Sequence, residues 1–406
     1  MTARTAHPQP TPASSATRSP RPVVPCGPDD IQHSQALATG AVGITLLHIE
    51  RAETGVGSWA GVREWLTSIA ASPLVASDDA GLFVGAPALA FVLHTAAGTT
   101  GHHRDTLRIL DAAVAKLTLR RLDQAHARID RGEQTIASEY DLLYGLTGLG
   151  AYLLQRDPHG DALHAVLAYL VRLTQPLPGS DLPGWWVRHD PSGRTSAAFP
   201  GGHGNVGIAH GITGPLALLA LAKSAGALAD GHTGAMLRIL TWLDGLRQAT
   251  PAGPWWPQWV TTDEHHLAST LHEGPRRPSW CYGTPGLARA QQLAAIALGD
   301  DRRKRAAETA LLRCITDPAQ LAQIGEPGLC HGAAGLLHTV HRVAQDADRP
   351  EQFTAHLPAL RSLLHAQAPA RQPGFLNGTA GTALALHATN RGGTPATGWD
   401  ACLLLS

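Results

Sequence analysis

The sequence predicts an all-α protein, an α/α toroid of seven inner and seven outer helices built from seven Gly-x-x-Gly helical hairpin repeats. Two observations carry that reading. A tight Gly-x-x-Gly turn followed by an apolar run occurs at residues 40–43, 145–148, 211–214, 283–286, 332–335 and 378–381, and a degraded seventh copy starts at Gly85, where Ala88 replaces the second glycine. The copies are roughly 45 to 70 residues apart, enough for two helices and their loops in each.

The first 30 residues are rich in Pro, Thr, Ser and Arg and lack an apolar segment of signal-peptide length. Residues 1–30 are therefore expected to be a disordered tail, with residues 31–406 forming the toroid domain. Runs that follow the glycines, such as 215–222 and 384–386, are apolar on nearly every side, as fully buried inner helices require. The stretch 104–122 places Leu107, Leu110, Val114 and Leu117 at helical spacing with charges opposite, the pattern of an outer helix.

A chain of 406 residues suggests two or three domains on length alone, yet a closed repeat array forms one unit. Hydrophobic residues make up 44%, ample for a core. The formal net charge is zero, which gives no electrostatic argument for nucleic acid or an anionic membrane. No uninterrupted apolar stretch approaches the roughly 20 residues of a membrane span, so a cytoplasmic protein is expected. Five cysteines, an odd number, argue against a disulfide framework. Cys314 and Cys402 fall in apolar helical contexts and should be buried; Cys26 lies in the tail.

If all inner helices run the same way, the glycine turns collect at one end of the barrel, at helix N-termini. Asp141 precedes Gly145 by four residues, His210 immediately precedes Gly211, Cys281 precedes Gly283 by two, and Cys330-His331 directly precedes Gly332. Four consecutive copies thus bring two cysteines and two histidines to one rim. Two thiolates and one imidazole leave tetrahedral zinc an open fourth position, the arrangement of a catalytic metal. Spacing supports both cysteines but does not choose between His331 and His210. The plainer alternatives are a buried thiol pair, a hydrogen-bonded core histidine and, for Asp141, a helix cap. His102-His103 and His265-His266 sit in polar stretches and are expected at the surface. His203 is expected in a flexible loop able to approach the site.

The Ala209-His210-Gly211, Trp280-Cys281-Tyr282-Gly283 and Leu329-Cys330-His331-Gly332 motifs, with Tyr140-Asp141 and the closing run at 374–381, resemble the lanthionine synthetase C-like family of lanthipeptide cyclases. The likeness spans about residues 35 to 400 and implies an α/α toroid with one zinc. It further implies a Michael addition, in which a cysteine thiol of a dehydrated precursor peptide adds to dehydroalanine or dehydrobutyrine and closes a (methyl)lanthionine ring. By the family pattern Cys281, Cys330 and His331 are the zinc ligands, leaving His210 for proton work, held or charged by Asp141. Arg277, beside Arg276, aligns with a family arginine suited to stabilising the enolate oxygen. Trp280 and Tyr282 either line the mouth or merely pack. The stretch 98–138 is short for the extra domain the family often inserts, and the loop 250–279, with Trp255, Trp256 and Trp259, is expected to shape a peptide groove.

The partners implied are a precursor peptide of leader and core, a separate dehydratase and an exporter. Two other functions fit the same residues: a glutathione-adding enzyme acting on dehydroamino acids in proteins, and a non-catalytic peptide-binding module stabilised by zinc. Isoprenoid chemistry fits poorly, because neither Asp78-Asp79 nor Asp300-Asp301 continues into Asp-Asp-x-x-Asp.

Overall fold

The computed structural model describes residues 34–98, 101–267 and 269–406. The expected tail, and Cys26 within it, lies outside the described residues.

Each glycine turn opens a buried helix: α1 (Ala41–Glu53), α3 (Ala86–Ala97), α5 (Leu146–Arg156), α7 (Thr213–Ser224), α9 (Thr284–Leu298), α11 (Ala333–Asp346) and α13 (Thr379–Arg391). Each packs on the next in that order, and α13 returns to α1, so the cycle of contacts closes. A more exposed helix follows each of the first six and packs outside it: α2 (Trp59–Ala70), α4 (Arg104–Asp130), α6 (Asp161–Leu173), α8 (His232–Leu246), α10 (Asp301–Thr316) and α12 (Leu357–Ala366).

The seventh outer position departs from expectation. After α13 the chain forms a 3-10 helix, Trp399–Leu403, which is buried and reaches across to α5. The Trp280 indole N–H donates to the Leu403 carbonyl at 3.0 Å, and Arg289 donates to the carbonyl of Leu405. This segment fills the interior that the inner helices surround, which explains why α9 and α11 carry buried polar residues. Burial alone would raise the Asp400 carboxyl, but the hydrogen bond from His338 and the charge of Arg342 hold it at about 2.

Close approach of the backbone explains the glycine pairs. A Cβ on the second glycine of each intact copy would lie within 3 Å of the carbonyl oxygen six residues earlier, as for Leu329 beneath Gly335 and Trp280 beneath Gly286. In the degraded copy the constraint moves to Gly85, which has φ +75° and faces the Val75 carbonyl. Gly335→Ala should cost about 1–3 kcal/mol through forced backbone shifts. Gly245→Ala, on the helix α8 with nothing near its Cβ, should instead stabilise by about 0.5–1 kcal/mol. Thermal unfolding of the two variants tests this contrast.

Four short strands, which the all-α reading did not include, lie in the connections before α7 and α9. Strand β1 (His203–Asn205) pairs antiparallel with β4 (Trp259–Thr261), and β2 (Gln248–Thr250) pairs with β3 (Gly253–Trp255). Among the described residues no helix is long and apolar enough to cross a membrane.

Candidate metal centre and its surroundings

The turns are stitched to one another by backbone hydrogen bonds that run around the rim. Leu142 N–H donates to Ala209 O, Ile208 to Cys281 O, Cys281 to Cys330 O at 3.2 Å, Cys330 to Leu376 O, and Leu376 to Ala38 O. Cys281 and Cys330 are brought together by this stitching, because each turn presents the residue preceding its helix to the same side. One ligand atom each from Cys281, Cys330 and His331 lies within 4.8 Å of the other two. Two sulfurs and an imidazole nitrogen so spaced suit a single tetrahedral zinc ion.

The donors already polarise one another. The Cys330 thiol and the His331 ring are aimed at the Cys281 sulfur, which holds Cys281 well below the ordinary thiol range. The same hydrogen bond, with burial, pushes Cys330 up, and contact with Cys281 raises His331. His331 Nε2 lies 2.9 Å from Glu326 Oε1, which leaves Nδ1 as the nitrogen for a metal. The Arg277 guanidinium also donates to Glu326 Oε1, at 3.0 Å. Arg277 is thus engaged with the carboxylate that holds His331.

On the neighbouring turns, His210 and Asp141 form the second half of the site. His210 Nδ1 lies 2.7 Å from Asp141 Oδ2. A carboxylate only accepts, so Nδ1 carries the hydrogen and Nε2 stays available. The other oxygen, Asp141 Oδ1, accepts from the backbone N–H groups of Tyr144 and Gly145. Asp141 therefore braces the turn that leads into α5 and orients a histidine at once; it makes no cap bond to the helix itself. The His210 ring is stacked between Tyr144, at 6.0 Å, and Tyr282, at 6.2 Å. All four residues wall a cavity of about 300 Å³.

The sequence profile of the lanthionine synthetase C-like proteins matches residues 32–404. The chain belongs to that family. It is 26% identical over 212 residues to the nisin biosynthesis protein NisC of Lactococcus lactis subsp. lactis, an alignment covering 50% of this chain and 49% of that protein, so about half the relative's length is spanned. Among solved structures, nisin cyclase superimposes with a TM-score of 0.79 over 92% of each chain at 21% identity, a likeness of fold.

Within this lanthionine synthetase C-like protein, several sequence expectations are corrected. His203 is in strand β1 and buried, not in a flexible loop, yet it does reach the site, walling the same cavity as His210; its Nδ1 donates to His189 O at 2.7 Å, and burial lowers its pKa to about 4. Trp280 is buried against the interior segment and does not line the mouth. Trp255 is buried, and the Trp256 indole donates to Leu243 O; neither is among the residues that wall the cavity beside His210, and Trp256 instead lines a small pocket shared with Tyr282. Cys314 and Cys402 are buried as expected, and His102, His103 and His266 are exposed, while His265 is half-buried against Trp186.

Sequence reasoning missed Tyr144, Asn205 and Glu326. Tyr144 had a usable signal, since it immediately precedes Gly145 just as His210 precedes Gly211. Asn205 accepts from Gly207 N–H through Oδ1, which fixes its amide, so Nδ2 donates to the Tyr282 hydroxyl at 3.0 Å. Burial raises Tyr282 to about 12, and its own hydrogen is left to point elsewhere. Glu326 and Asn205 also had a signal, since each stands six residues before its copy's first glycine, as Arg277 does before Gly283. Glu326→Gln should weaken zinc binding about 10–100-fold, the usual effect of removing a partner of a ligating histidine; competition with a chelating dye measures it.

Proposed function

We propose that this protein is a zinc-dependent lanthipeptide cyclase that closes (methyl)lanthionine rings in a dehydrated precursor peptide. The observation that carries the reading is the placement of the Cys281–Cys330–His331 cluster one turn away from the Asp141–His210 pair, on a shared rim. The closed cycle of inner helices is, in this reading, the α/α toroid of the family, and a separate protein supplies dehydration.

Zinc, held by Cys281, Cys330 and His331, would keep the incoming cysteine as a thiolate, where a free thiol of pKa about 8.5 is only a few per cent ionised at neutral pH. The sulfur adds to the β-carbon of the dehydroamino acid, the C=C pair moves towards the carbonyl oxygen, and a proton returns to the α-carbon. No atom is lost: the thiol gives up one proton and the α-carbon gains one. His210 walls the cavity, its Nδ1 is bonded to Asp141, and its Nε2 is the atom we assign to carry that proton, with Asp141 fixing the tautomer. Tyr282 is protonated at neutral pH and takes a hydrogen bond from Asn205, so its O–H is available to the developing enolate oxygen. Tyr282 would share this role with Arg277, to which the family pattern assigns it: one Arg277 N–H is donated to Glu326, and a guanidinium has four more.

The test is mass spectrometry of free thiols after incubation with a dehydrated cysteine-containing peptide. Wild-type protein should consume thiols without a change in peptide mass, and zinc-stripped protein should not. Consumption only on addition of glutathione, with the corresponding gain in mass, would favour the glutathione-adding reading. No consumption at any zinc loading would favour the binding module.

A further inference from the structure

The residue immediately before the first glycine holds an equivalent place in the first six copies: Thr39, Val84, Tyr144, His210, Tyr282 and His331. Successive members of this series line successive parts of one surface. His331 belongs to the metal cluster, while Tyr282, His210 and Tyr144 wall the cavity described above. Tyr144, Val84 and Thr39 wall a second, larger cavity of about 680 Å³. Both cavities are lined by Ser138 and Tyr144, so they adjoin, with the half-exposed Tyr144 ring between them. The volume falls within the roughly 300–1,000 Å³ of pockets that enclose small ligands.

Phe83, Val84, Leu143 and Tyr144 give this second cavity apolar walls, and Asp79 and Arg121 add charge. Arg121 is fixed there by donating through Nη1 to the Tyr144 carbonyl at 2.7 Å. The copies that build these walls contribute no ligand to the metal cluster. Ring closure demands two directions of travel from the reacting carbon. An acceptor carbon within reach of His210 Nε2 leaves the thiol-bearing limb to pass over Tyr282 towards the cysteines. The other limb has Tyr144 and the second cavity before it.

We propose that this cavity is a subsite for the dehydrated peptide, taking an apolar side chain next to the dehydroamino acid. The inference rests on the cyclase reading for the identity of the peptide. Its chemistry is an apolar side chain against Phe83 and Val84, with the adjoining peptide groups near Asp79 and Arg121.

The experiment uses synthetic peptides that carry one cysteine, one dehydroalanine a few residues away, and photo-leucine beside the dehydroalanine. They are irradiated with zinc-loaded, full-length protein, and crosslinks are mapped by mass spectrometry. Labelling is expected within residues 79–84, which wall the second cavity and not the first; labelling confined to other segments overturns the subsite. Val84→Trp, which fills the cavity, is expected to reduce that label about tenfold or more at unchanged zinc content and melting temperature. A filled, folded variant labelled like the wild type also overturns it. Ring closure is read in the same samples. Closed rings with the label elsewhere reject the subsite and keep the cyclase, whereas label at 79–84 without closed rings keeps a peptide site and rejects the cyclase.

Discussion

Cys330→Ala is expected to abolish stoichiometric zinc binding and ring closure together. The substitution removes one of two sulfurs from a cluster whose three donors lie within 4.8 Å, yet it leaves the backbone bond from Cys281 N–H to Cys330 O in place. The fold should therefore persist, with an unchanged circular dichroism spectrum. The rate should fall at least about 30-fold, because a free thiol is only a few per cent thiolate near pH 7. Losing the positioning of the two reactants lowers it further. Elemental analysis and thiol consumption measure the two effects on one sample. A Cys330→Ala protein that keeps one zinc and the wild-type rate would remove Cys330 from the site.

The second large effect is expected at the Asp141–His210 pair, and it should differ in kind. His210→Ala should lower kcat about 10²–10⁴-fold, the usual contribution of a positioned acid or base. Zinc content and peptide affinity should stay as in the wild type. Asp141→Asn tests the orientation directly. The amide oxygen can still accept from the Tyr144 and Gly145 N–H groups, which leaves the NH₂ to face His210 Nδ1. A donor now meets Nδ1, the ring prefers the other tautomer, and Nε2 becomes protonated. A loss as large as that of His210→Ala, with zinc retained, is the expected result. A small loss would mean that Asp141 acts chiefly by bracing the turn before α5.

Much of this arrangement is legible in the sequence because the glycine turns set a repeating coordinate. Once Gly211, Gly283 and Gly332 are aligned, His210, Cys281, Cys330 and His331 fall into equivalent places and must converge wherever successive hairpins stack side by side. The choice of His331 over His210 is not legible that way. It depends on the side-chain directions that bring His331 against Cys281 and tie its far nitrogen to Glu326. Tyr144 was open to the same alignment that found His210. Asn205 and Glu326 each stand six residues before the first glycine of their copy, as Arg277 does before Gly283, so the same alignment reaches their positions; what it does not reveal is their partners, Tyr282 and His331. The fate of the seventh outer helix was equally hidden, since Trp399 to Leu405 reads as one more apolar run.

The closure of the cycle also bears on how the chain acquires its shape. Glu50, on the first inner helix, accepts hydrogen bonds from the N–H groups of Ala396 and Thr397, and Thr54 meets His387 across 333 residues of chain. An open solenoid can grow from one end with each unit stabilised as it docks. Here the first and last units wait for each other, and until they meet, two apolar flanks face water. Refolding from denaturant should accordingly be slow and prone to aggregate at high protein concentration, as expected when so much of the native contact set is distant in sequence.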